Sequence, residues 1–477
     1  MKIQNTLGKE LEEFRPLHPG KVSFYHCGPT VYWTQHIGNM RGMVMADLVR
    51  RTLQYLGYEV KFVRNYTDVG HLTGDNLGDA DSGEDRMEKG AKREGLSPQE
   101  IADKYIIQFD QDTQALNILE PTSKPRATMY VQEMIDMVGE LLEKGFAYST
   151  PKAIYFDVTK KADYTKLSGQ KLEKNIAGAG AGEVEDPEKK NSQDFALWFF
   201  RTGVHKNALQ WWSSPFDSPE VENGAGFPGW HIECSAMARA DLGDTIDIHM
   251  GGIEHIPVHH TNEIAQSESV TGKTFANYWL HNEWLMIDGE KISKSLGNFY
   301  SVDDLSKKGY EPLALRYLFL QAHYRSQQNF TFEALDGASS AYEKLKSKLA
   351  RLSDGGKINQ EYKEKFIASI SDDFNIPAAL ALVWDLLRDE AINSEDKKAT
   401  ILDFDEVMGL GLDNLETGAK SELDPNTISE IEELIAKRDA AREEKDFELA
   451  DKIRDELLEK YGVSLKDEGG KTSWGIS

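Results

Sequence analysis

The two cysteines of the 477-residue chain stand in segments that could bind a metal ion. Cys27 precedes a polar and aromatic segment, and Cys234 closes the sequence Trp-His-Ile-Glu-Cys. Further along, His259 and Glu263 are four residues apart, which places both on one face of a helix. Two thiolates, an imidazole and a carboxylate form a ligand set that zinc accepts. A disulfide between the two cysteines is the alternative, and a reducing compartment disfavours it.

Two further segments could bind phosphate. The sequence His-Ile-Gly-Asn at 36–39 lies at the entry of an expected helix, where unpaired N–H groups and the helix dipole attract anions. The sequence Lys-Ile-Ser-Lys-Ser at 291–295 contributes two lysines. Together the segments predict a split phosphate site, with His36 on one wall and with Lys291 and Lys294 on the other.

Such a site suits the adenylation of a carboxylate. The carboxylate attacks the α-phosphate of ATP and pyrophosphate leaves, so positioning and charge stabilisation supply most of the acceleration. Lys294 would neutralise charge as the phosphorus becomes pentacoordinate, and His36 would donate a hydrogen bond to a phosphate oxygen. Mg²⁺ would accompany ATP, bound largely by the triphosphate. We expect Gly38 and Asn39 to belong to the same ATP site.

A parallel α/β sheet would position these segments. Residues 21–28 have the pattern of a strand, apolar residues at helical spacing follow up to Leu56, and residues 58–69 are β-rich. Strand, helix and returning strand form the opening unit of a parallel sheet. The sequence at 244–252 predicts another buried strand, and we expect a helix after His259.

The pattern along the chain predicts a catalytic domain that is split by an insertion and followed by helices. Beyond about residue 300, apolar residues recur mostly at helical spacing, and the last part reads as two charged amphipathic helices. The expected domains are the first half of a Rossmann-like catalytic domain at 1–150, a connective insertion at 151–215, the second half of the catalytic domain at 216–300, a helical bundle domain at 301–415 and a small C-terminal segment at 416–477.

Two tracts predict loops. Residues 74–95 are polar and rich in Gly and Asp, and we expect a mobile loop there. Residues 175–182 contain spaced glycines, but no helix pattern follows them. This tract therefore lacks the context of a dinucleotide-binding fingerprint.

Composition limits the class of protein. With 40% hydrophobic and 28% charged residues, the chain resembles soluble globular proteins. It contains no apolar run of the roughly 20 residues that a membrane span requires. The N-terminal sequence lacks the apolar core of a signal peptide, so we expect a cytoplasmic protein that does not bind membranes. The net charge of −25 disfavours nonspecific binding of nucleic acids, but a local basic stretch such as 344–351 would still attract phosphates.

Five segments together resemble the cysteinyl-tRNA synthetases, a family of class I aminoacyl-tRNA synthetases. They occur in the order found in that family, and the resemblance covers about residues 1–350 and continues more diffusely to the end. The segments are CGPTVYWTQHIGN at 27–39, NYTDV at 65–69, FPGWHIECSAM at 227–237, HHTNEIAQSE at 259–268 and KISKSLGN at 291–298.

The resemblance implies one zinc ion that recognises the substrate cysteine. The zinc would accept the thiolate of cysteine as an additional ligand, whereas the serine hydroxyl is a harder and poorer ligand. A hydrophobic pocket separates near-isosteres only by about 10–200-fold, so the metal would make an editing site unnecessary. The implied zinc ligands are Cys27, Cys234, His259 and Glu263.

Motif positions also imply contacts to the two small substrates. At three positions the chain departs from the common family pattern: Asn39 replaces a histidine, Met250 interrupts a glycine run, and Glu254 stands in a loop that commonly contains aspartate. The implied contacts are Thr67, Trp230 and His231 for cysteine, and His249, Gly251 and Gly252 for adenosine.

The resemblance implies a monomeric enzyme that charges tRNA(Cys). It would form cysteinyl-adenylate from L-cysteine and ATP and transfer cysteine to the 3′-terminal adenosine. The helical region would contact the inside of the tRNA, and the C-terminal segment its anticodon end. One alternative is an ATP-dependent ligase of cysteine and an amino-sugar, which has little need for the long helical C-terminal region. The other is a non-catalytic RNA-binding protein derived from a synthetase, which the presence of His36 and Lys294 disfavours.

Overall fold

The computed structural model describes residues 1–70, 85–170, 186–293, 297–414, 425–443, 446–461, 463–468 and 471–476. The strands are β1 Lys2–Asn5, β2 Glu10–Glu13, β3 Lys21–His26, β4 Glu59–Arg64, β5 Ala147–Ser149, β6 Ala153–Phe156, β7 Phe195–Phe200, β8 Gly226–Pro228, β9 Ile246–Gly252, β10 Ala276–Asn282, β11 Leu285–Ile287, β12 Glu290–Lys291, β13 Gln328–Phe330, β14 Val463–Glu468 and β15 Lys471–Ile476. The helices are α1 Ile37–Tyr55, α2 Arg86–Glu94, α3 Pro98–Ala115, α4 Val131–Glu143, α5 Trp230–Leu242, α6 His259–Thr271, α7 Val302–Lys307, α8 Pro312–Leu320, α9 Phe332–Ala350, α10 Gln360–Ile370, α11 Ile376–Arg388, α12 Ser394–Met408, α13 Pro425–Glu443 and α14 Phe447–Tyr461.

Four parallel strands form the central sheet in the order β10-β9-β3-β4. Helix α1 connects β3 to β4, and helix α6 connects β9 to β10. Every residue of β9 is buried, as expected of a parallel strand that is covered on both faces. The predicted α/β fold with a parallel sheet is confirmed, and the carboxyl ends of its strands carry the segments that could do chemistry.

Helix α1 forms because its apolar residues repeat at helical spacing and are buried in the core. Met45, Leu48, Val49 and Leu53 are all at most 3% exposed. The chain reverses after the helix at Gly57, whose φ of +90° favours glycine. The strand, helix and strand expected at the start of the chain are therefore present.

A long insertion separates β4 from β9. It contains helices α2 to α5 and a second sheet, which is antiparallel and has the order β5-β6-β7-β8. This sheet begins at Ala147 and ends at Pro228. It thus extends beyond both ends of the expected insertion at 151–215, because β5 and β8 pair with strands inside that range.

The expectation of a loop over 74–95 is wrong for its second half. Residues 86–94 form helix α2, in which the side chain of Asp85 accepts a hydrogen bond from the N–H of Glu88. The helix ends at Gly95, whose φ is +68°. An Asp followed three residues later by Glu, with a closing Gly, is a start and stop signal that outweighs the polar composition. Residues 71–84 and the tract at 175–182 lie outside the described residues.

Helices dominate after β10, as expected. A small sheet of order β12-β11-β13 comes first, and β12 ends at Lys291. Helices α7 and α8 follow, and Gly309 with a φ of +90° lies between them. Among the described residues, no helix is long and apolar enough to cross a membrane.

The chain divides into two compact units. The first comprises residues 1–343 and 355–410, and the second comprises residues 344–354 and 411–477. In the second unit, helices α13 and α14 share an apolar core, and β14 pairs with β15 as an antiparallel hairpin. The division into five domains stays a prediction. The core of the second unit includes Ile431, Ile435, Ile453, Leu457 and Val463.

Candidate active site and metal centre

Four buried side chains meet at the carboxyl end of the central sheet. One potential ligand atom from each lies within 4.8 Å of those of the others. They come from three separate elements, since one follows β3, one lies on α5 and two lie on the first two turns of α6. The four residues are those expected from the sequence, Cys27, Cys234, His259 and Glu263.

The spacing of the donor atoms fits zinc. A tetrahedral site with bonds of about 2.0–2.3 Å separates its ligand atoms by roughly 3.3–3.8 Å. The sulfur atoms of Cys27 and Cys234 are 3.9 Å apart, and the Cys27 sulfur is 3.7 Å from Glu263 Oε1. Both cysteines are free thiols, so the disulfide alternative is wrong. The donor set and its burial fit a metal ion.

Electrostatics in the cluster favour the negatively charged form of Cys234 and Glu263. Burial raises the pKa of Cys27, whereas the hydrogen bond from Cys27 lowers the pKa of Cys234. Burial alone would raise the pKa of Glu263, but the imidazoles of His249 and His259 hold it well below its usual range. Burial alone would lower the pKa of His259, but Glu263 and Cys234 raise it to about 10. Glu263 is thus held as a carboxylate and the pKa of the Cys234 thiol is lowered, whereas the raised pKa values of Cys27 and His259 oppose the deprotonated forms that bind a metal.

Two further histidines orient the ligands from outside the set. His249 Nε2 lies 2.8 Å from Glu263 Oε2, which leaves Oε1 to face the cysteines. His231 Nδ1 lies 2.9 Å from His259 Nδ1, which leaves Nε2 to face the cluster. Such outer hydrogen bonds fix ring orientation and ligand basicity. His249 is fully buried, and its contact with adenosine stays a prediction.

A second buried group of possible metal ligands, two of them histidines, was not predicted from the sequence. Cys27, His249, His260 and Glu263 also bring four donor atoms within 4.8 Å of one another. The Nδ1 atom of His260 is 2.7 Å from His281 Nε2 on β10. Burial and the neighbouring histidines lower the pKa of His260 well below its usual value, so it is neutral. In the sequence, only the adjacent histidines at 259 and 260 could have indicated this group. The third histidine, His281, lies on a different element, strand β10.

The phosphate-binding segment at 36–39 begins helix α1. His36 is the N-cap residue, and its Nδ1 accepts a hydrogen bond from the N–H of Asn39 at 3.1 Å. The side-chain oxygen of Asn39 accepts in return from the N–H of His36 at 3.2 Å. Ile292 of the second segment lies beside it, since a Cβ on Gly38 would come within 2.7 Å of the Ile292 side chain. The two segments therefore meet, although they are more than 250 residues apart.

Of the two lysines in the second segment, Lys291 is among the described residues and Lys294 is not. Lys291 is exposed, and its Nζ lies 3.7 Å from the centre of the Trp284 ring. Asn298 braces the segment, because its side chain donates to Lys291 O and accepts from the N–H of Ser293. Lys294 lies outside the described residues, and its role stays a prediction.

The residues assigned to the cysteine pocket lie beside the metal-binding set. Trp230 stacks on His259, with ring centres 4.2 Å apart and planes at 29°. Thr67 is 2% exposed and accepts a hydrogen bond from Asn65. Trp230 is half-buried, so part of its ring faces outward from the cluster.

The strand end assigned to adenosine is tightly packed. A Cβ on Gly251 would come within 2.7 Å of both His255 and His260, and a Cβ on Gly252 within 2.3 Å of Glu254. A Cβ at either position would therefore require these neighbouring side chains to shift, and the contact of the two glycines with adenosine stays a prediction. The carboxylate of Glu254 accepts a hydrogen bond from Trp284 Nε1 at 3.0 Å.

Two sequence families match the chain. The model described as tRNA synthetases class I (C) catalytic domain matches residues 13–340. The model described as cysteinyl-tRNA ligase anticodon binding domain matches residues 424–474. The second match lies within the smaller compact unit, and the first includes the whole metal-binding set.

Curated relatives match over nearly the full length. The chain is 41% identical to the cysteine--tRNA ligase of Treponema denticola over 505 aligned positions, which cover 99% of each chain. It is 43% identical to cysteine--tRNA ligase 1 of Burkholderia lata, over 98% of this chain and 95% of that one. The cysteine--tRNA ligase of Lactococcus lactis is 39% identical, over 99% of each chain.

Solved structures share the fold at low sequence identity. The methionyl-tRNA synthetase of Mycobacterium tuberculosis in complex with methionyl-adenylate is 14% identical, with a TM-score of 0.54 over 83% of this chain and 91% of that one. The ternary LeuRS-tRNA-LeuAMS complex of Agrobacterium radiobacter K84 is 12% identical, with a TM-score of 0.58 over 84% and 86%. These structures support the fold, and the matches above establish the relationship: the chain belongs to the cysteine–tRNA ligases, a family of class I aminoacyl-tRNA synthetases.

Proposed function

We propose that this chain activates L-cysteine with ATP and transfers it to the 3′-terminal adenosine of tRNA(Cys), as a cytoplasmic monomer. One observation carries the proposal. A buried set of two thiols, an imidazole and a carboxylate lies at the same sheet edge as the helix entry at His36, so a metal-bound amino acid and an ATP phosphate would be neighbours.

The first step requires positioned charge and no covalent enzyme intermediate. The α1 N-terminus would attract the triphosphate, which carries Mg²⁺. Because the N–H of Asn39 donates to His36 Nδ1, the proton of the neutral ring lies on Nε2 and would be donated to a phosphate oxygen. Lys291 and Lys294 would stabilise charge as the cysteine carboxylate attacks the α-phosphate and pyrophosphate leaves.

Selectivity for cysteine would come from the metal-binding set. Cys27, Cys234, His259 and Glu263 would hold one zinc ion. When bound, the ion supplies an additional position that favours a thiolate over the hydroxyl of serine. His231 and His249 would keep the imidazole and carboxylate ligands turned toward that ion, and Trp230 would wall the pocket through its stack on His259.

Transfer to tRNA requires a second point of contact far from the chemistry. The match of residues 424–474 to an anticodon binding domain supports a role of the smaller unit in binding the anticodon end. Phosphate contacts there would orient the tRNA and would not identify its bases. This match and the full-length similarity to cysteine--tRNA ligases disfavour the amino-sugar ligase, which has little need for the C-terminal region.

The test is exchange of pyrophosphate into ATP. We expect exchange with cysteine and none with serine, and a loss of several orders of magnitude in Lys294→Ala. Charging of tRNA(Cys) transcripts is then measured with the full chain. Exchange without charging, together with coupling of cysteine to an amino-sugar, would establish the alternative ligase. Size-exclusion chromatography with light scattering at assay concentration tests the monomer.

A further inference from the structure

Asn65 links the loop that carries Cys27 to the hydroxyl of Thr67. It follows the last residue of β4 and is fully buried. Its Oδ1 accepts a hydrogen bond from the N–H of Gly28 at 2.8 Å, and its Nδ2 donates to Thr67 Oγ1 at 3.3 Å. The same Oδ1 lies 3.9 Å from the sulfur of Cys234. One side chain thus contacts both cysteine ligand segments and the expected amino-acid pocket.

The backbone determines which way the amide of Asn65 faces. A backbone N–H only donates, so the atom next to Gly28 must be the amide oxygen. The NH₂ group then faces Thr67, whose oxygen accepts its hydrogen bond. The hydroxyl proton of Thr67 is consequently directed away from Asn65.

The two loops joined by this amide are packed at the closest possible distance. A Cβ on Gly28 would lie 1.6 Å from the carbonyl oxygen of Asn65, so the backbones touch. The N–H of Val31 donates to Thr67 O, and the N–H of Thr67 donates to Pro29 O, both at 3.1 Å. The loops after β3 and β4 are therefore joined by backbone hydrogen bonds, and the side chain of Asn65 also links them.

We propose that Asn65 is a positioning residue for cysteine recognition, which holds the Cys27 loop in place and directs the Thr67 hydroxyl proton toward the bound amino acid. The inference rests on the proposed function, because it takes Thr67 as a wall of the cysteine pocket. Asn65→Asp is the most informative substitution, because the two side chains are nearly isosteric. Its second oxygen would accept the Thr67 proton and reverse the hydroxyl.

The experiment uses the full chain loaded with Co²⁺, whose absorption reports on thiolate ligation. Cysteine is titrated, and its Kd is read from the spectrum. We expect Kd to rise about tenfold in Asn65→Asp, which equals about 1.4 kcal/mol, and less in Asn65→Ala. In pyrophosphate exchange, KM for cysteine should rise while kcat changes little. In a Thr67→Val background, Asn65→Asp should change Kd by less than about twofold.

Asn5→Asp is the matched control, because Asn5 is 3% exposed and also accepts from and donates to backbone groups. It should lower the melting temperature and leave the Kd for cysteine unchanged. An unchanged Kd in both Asn65 variants overturns the inference, as does an Asn65→Asp effect that persists fully without the Thr67 hydroxyl. If Asn65→Asp does not fold, Asn65→Ala decides. If cysteine does not change the Co²⁺ spectrum of the unsubstituted chain, that result would instead contradict the proposed function.

Discussion

Asn39 and His36 cap helix α1 reciprocally, and the backbone N–H of Asn39 makes His36 Nδ1 a hydrogen-bond acceptor. The backbone of each residue donates to the side chain of the other, at 3.1 and 3.2 Å. The asparagine that departs from the common family pattern therefore has a defined structural role. In the proposed function, the other ring nitrogen of His36 would donate to ATP.

Replacing Asn39 should affect ATP more than cysteine. In Asn39→Ala, we expect KM for ATP to rise and kcat to fall by roughly tenfold, less than the 10²–10³-fold that losing a transition-state donor costs. Pyrophosphate exchange with varied ATP measures both. Ser97→Ala removes the equivalent capping box of helix α3, and should cost about 1 kcal/mol of stability without changing KM. Equal kinetic effects in the two variants would contradict the role of Asn39.

The metal-binding set predicts a loss of zinc on removal of one ligand. His259→Ala should reduce zinc from about one ion per chain to a small fraction, because an imidazole and its hydrogen bond to His231 are lost together. Cys27→Ser should behave similarly. Elemental analysis after dialysis measures zinc, and the exposed His18→Ala is the control. Full zinc content in His259→Ala would refute the assignment.

Asp112 should make stability depend on pH. It is 6% exposed on helix α3, and one of its oxygens has no hydrogen-bond partner among the described residues. Burial, together with Asp303 and Asp304, raises its pKa to about 7. Between about pH 4 and pH 7 the folded chain keeps a proton on Asp112 that the unfolded chain releases. The contribution of Asp112 to stability is therefore greatest below about pH 4 and falls up to about pH 7, by at most about 1.4 kcal/mol per pH unit.

The variant Asp112→Asn removes this titration. We expect it to be more stable than the parent above about pH 7 and to show a flatter stability curve between about pH 4 and pH 7. Chemical denaturation at several pH values measures the difference. The exposed Asp136→Asn on helix α4 is the control and should shift nothing. Parallel curves for parent and Asp112→Asn would show that Asp112 ionises normally.

Arg316 should be among the most sensitive positions for stability. Its fully buried guanidinium lies 2.6 Å from Asp47 Oδ2 and donates to the carbonyls of Leu116 and Met408. Arg316→Met leaves these acceptors buried, so we expect a loss of about 3–5 kcal/mol by chemical denaturation. Arg388→Met removes an exposed pair with Asp385 and should cost under about 1 kcal/mol. Similar losses in both variants would contradict the prediction.

Local patterns predicted the sheet and the metal-binding set, because the ligands lie at the ends of strongly patterned strands and helices. The direction of His249 did not follow from sequence: it lies on the same strand as the two glycines, yet its ring turns to Glu263 on α6. Asn65 escaped notice for a similar reason, since its partners come from the neighbouring loop and from α5. Contacts between buried residues that are far apart in the sequence produce no local sequence pattern.

The hairpin β14-β15 was also not expected, because its strands are short and follow a strongly helical pattern. Helix α2 was missed for the opposite reason, since a polar composition concealed its capping signals. The sequence of this chain therefore predicts its long amphipathic elements well and its short elements poorly.

The separation of the ligands along the chain has a consequence for biosynthesis. Cys27 lies 207 residues before Cys234 and 236 before Glu263, and a ribosome needs at least about ten seconds to make that length. In a zinc finger, the metal drives folding of a short segment. A zinc ion held by Cys27, Cys234, His259 and Glu263 would instead lack its full set of ligands until Glu263 has been synthesised. During that interval the Cys27 thiol would lack these partners, so zinc binding would compete with oxidation of the thiol.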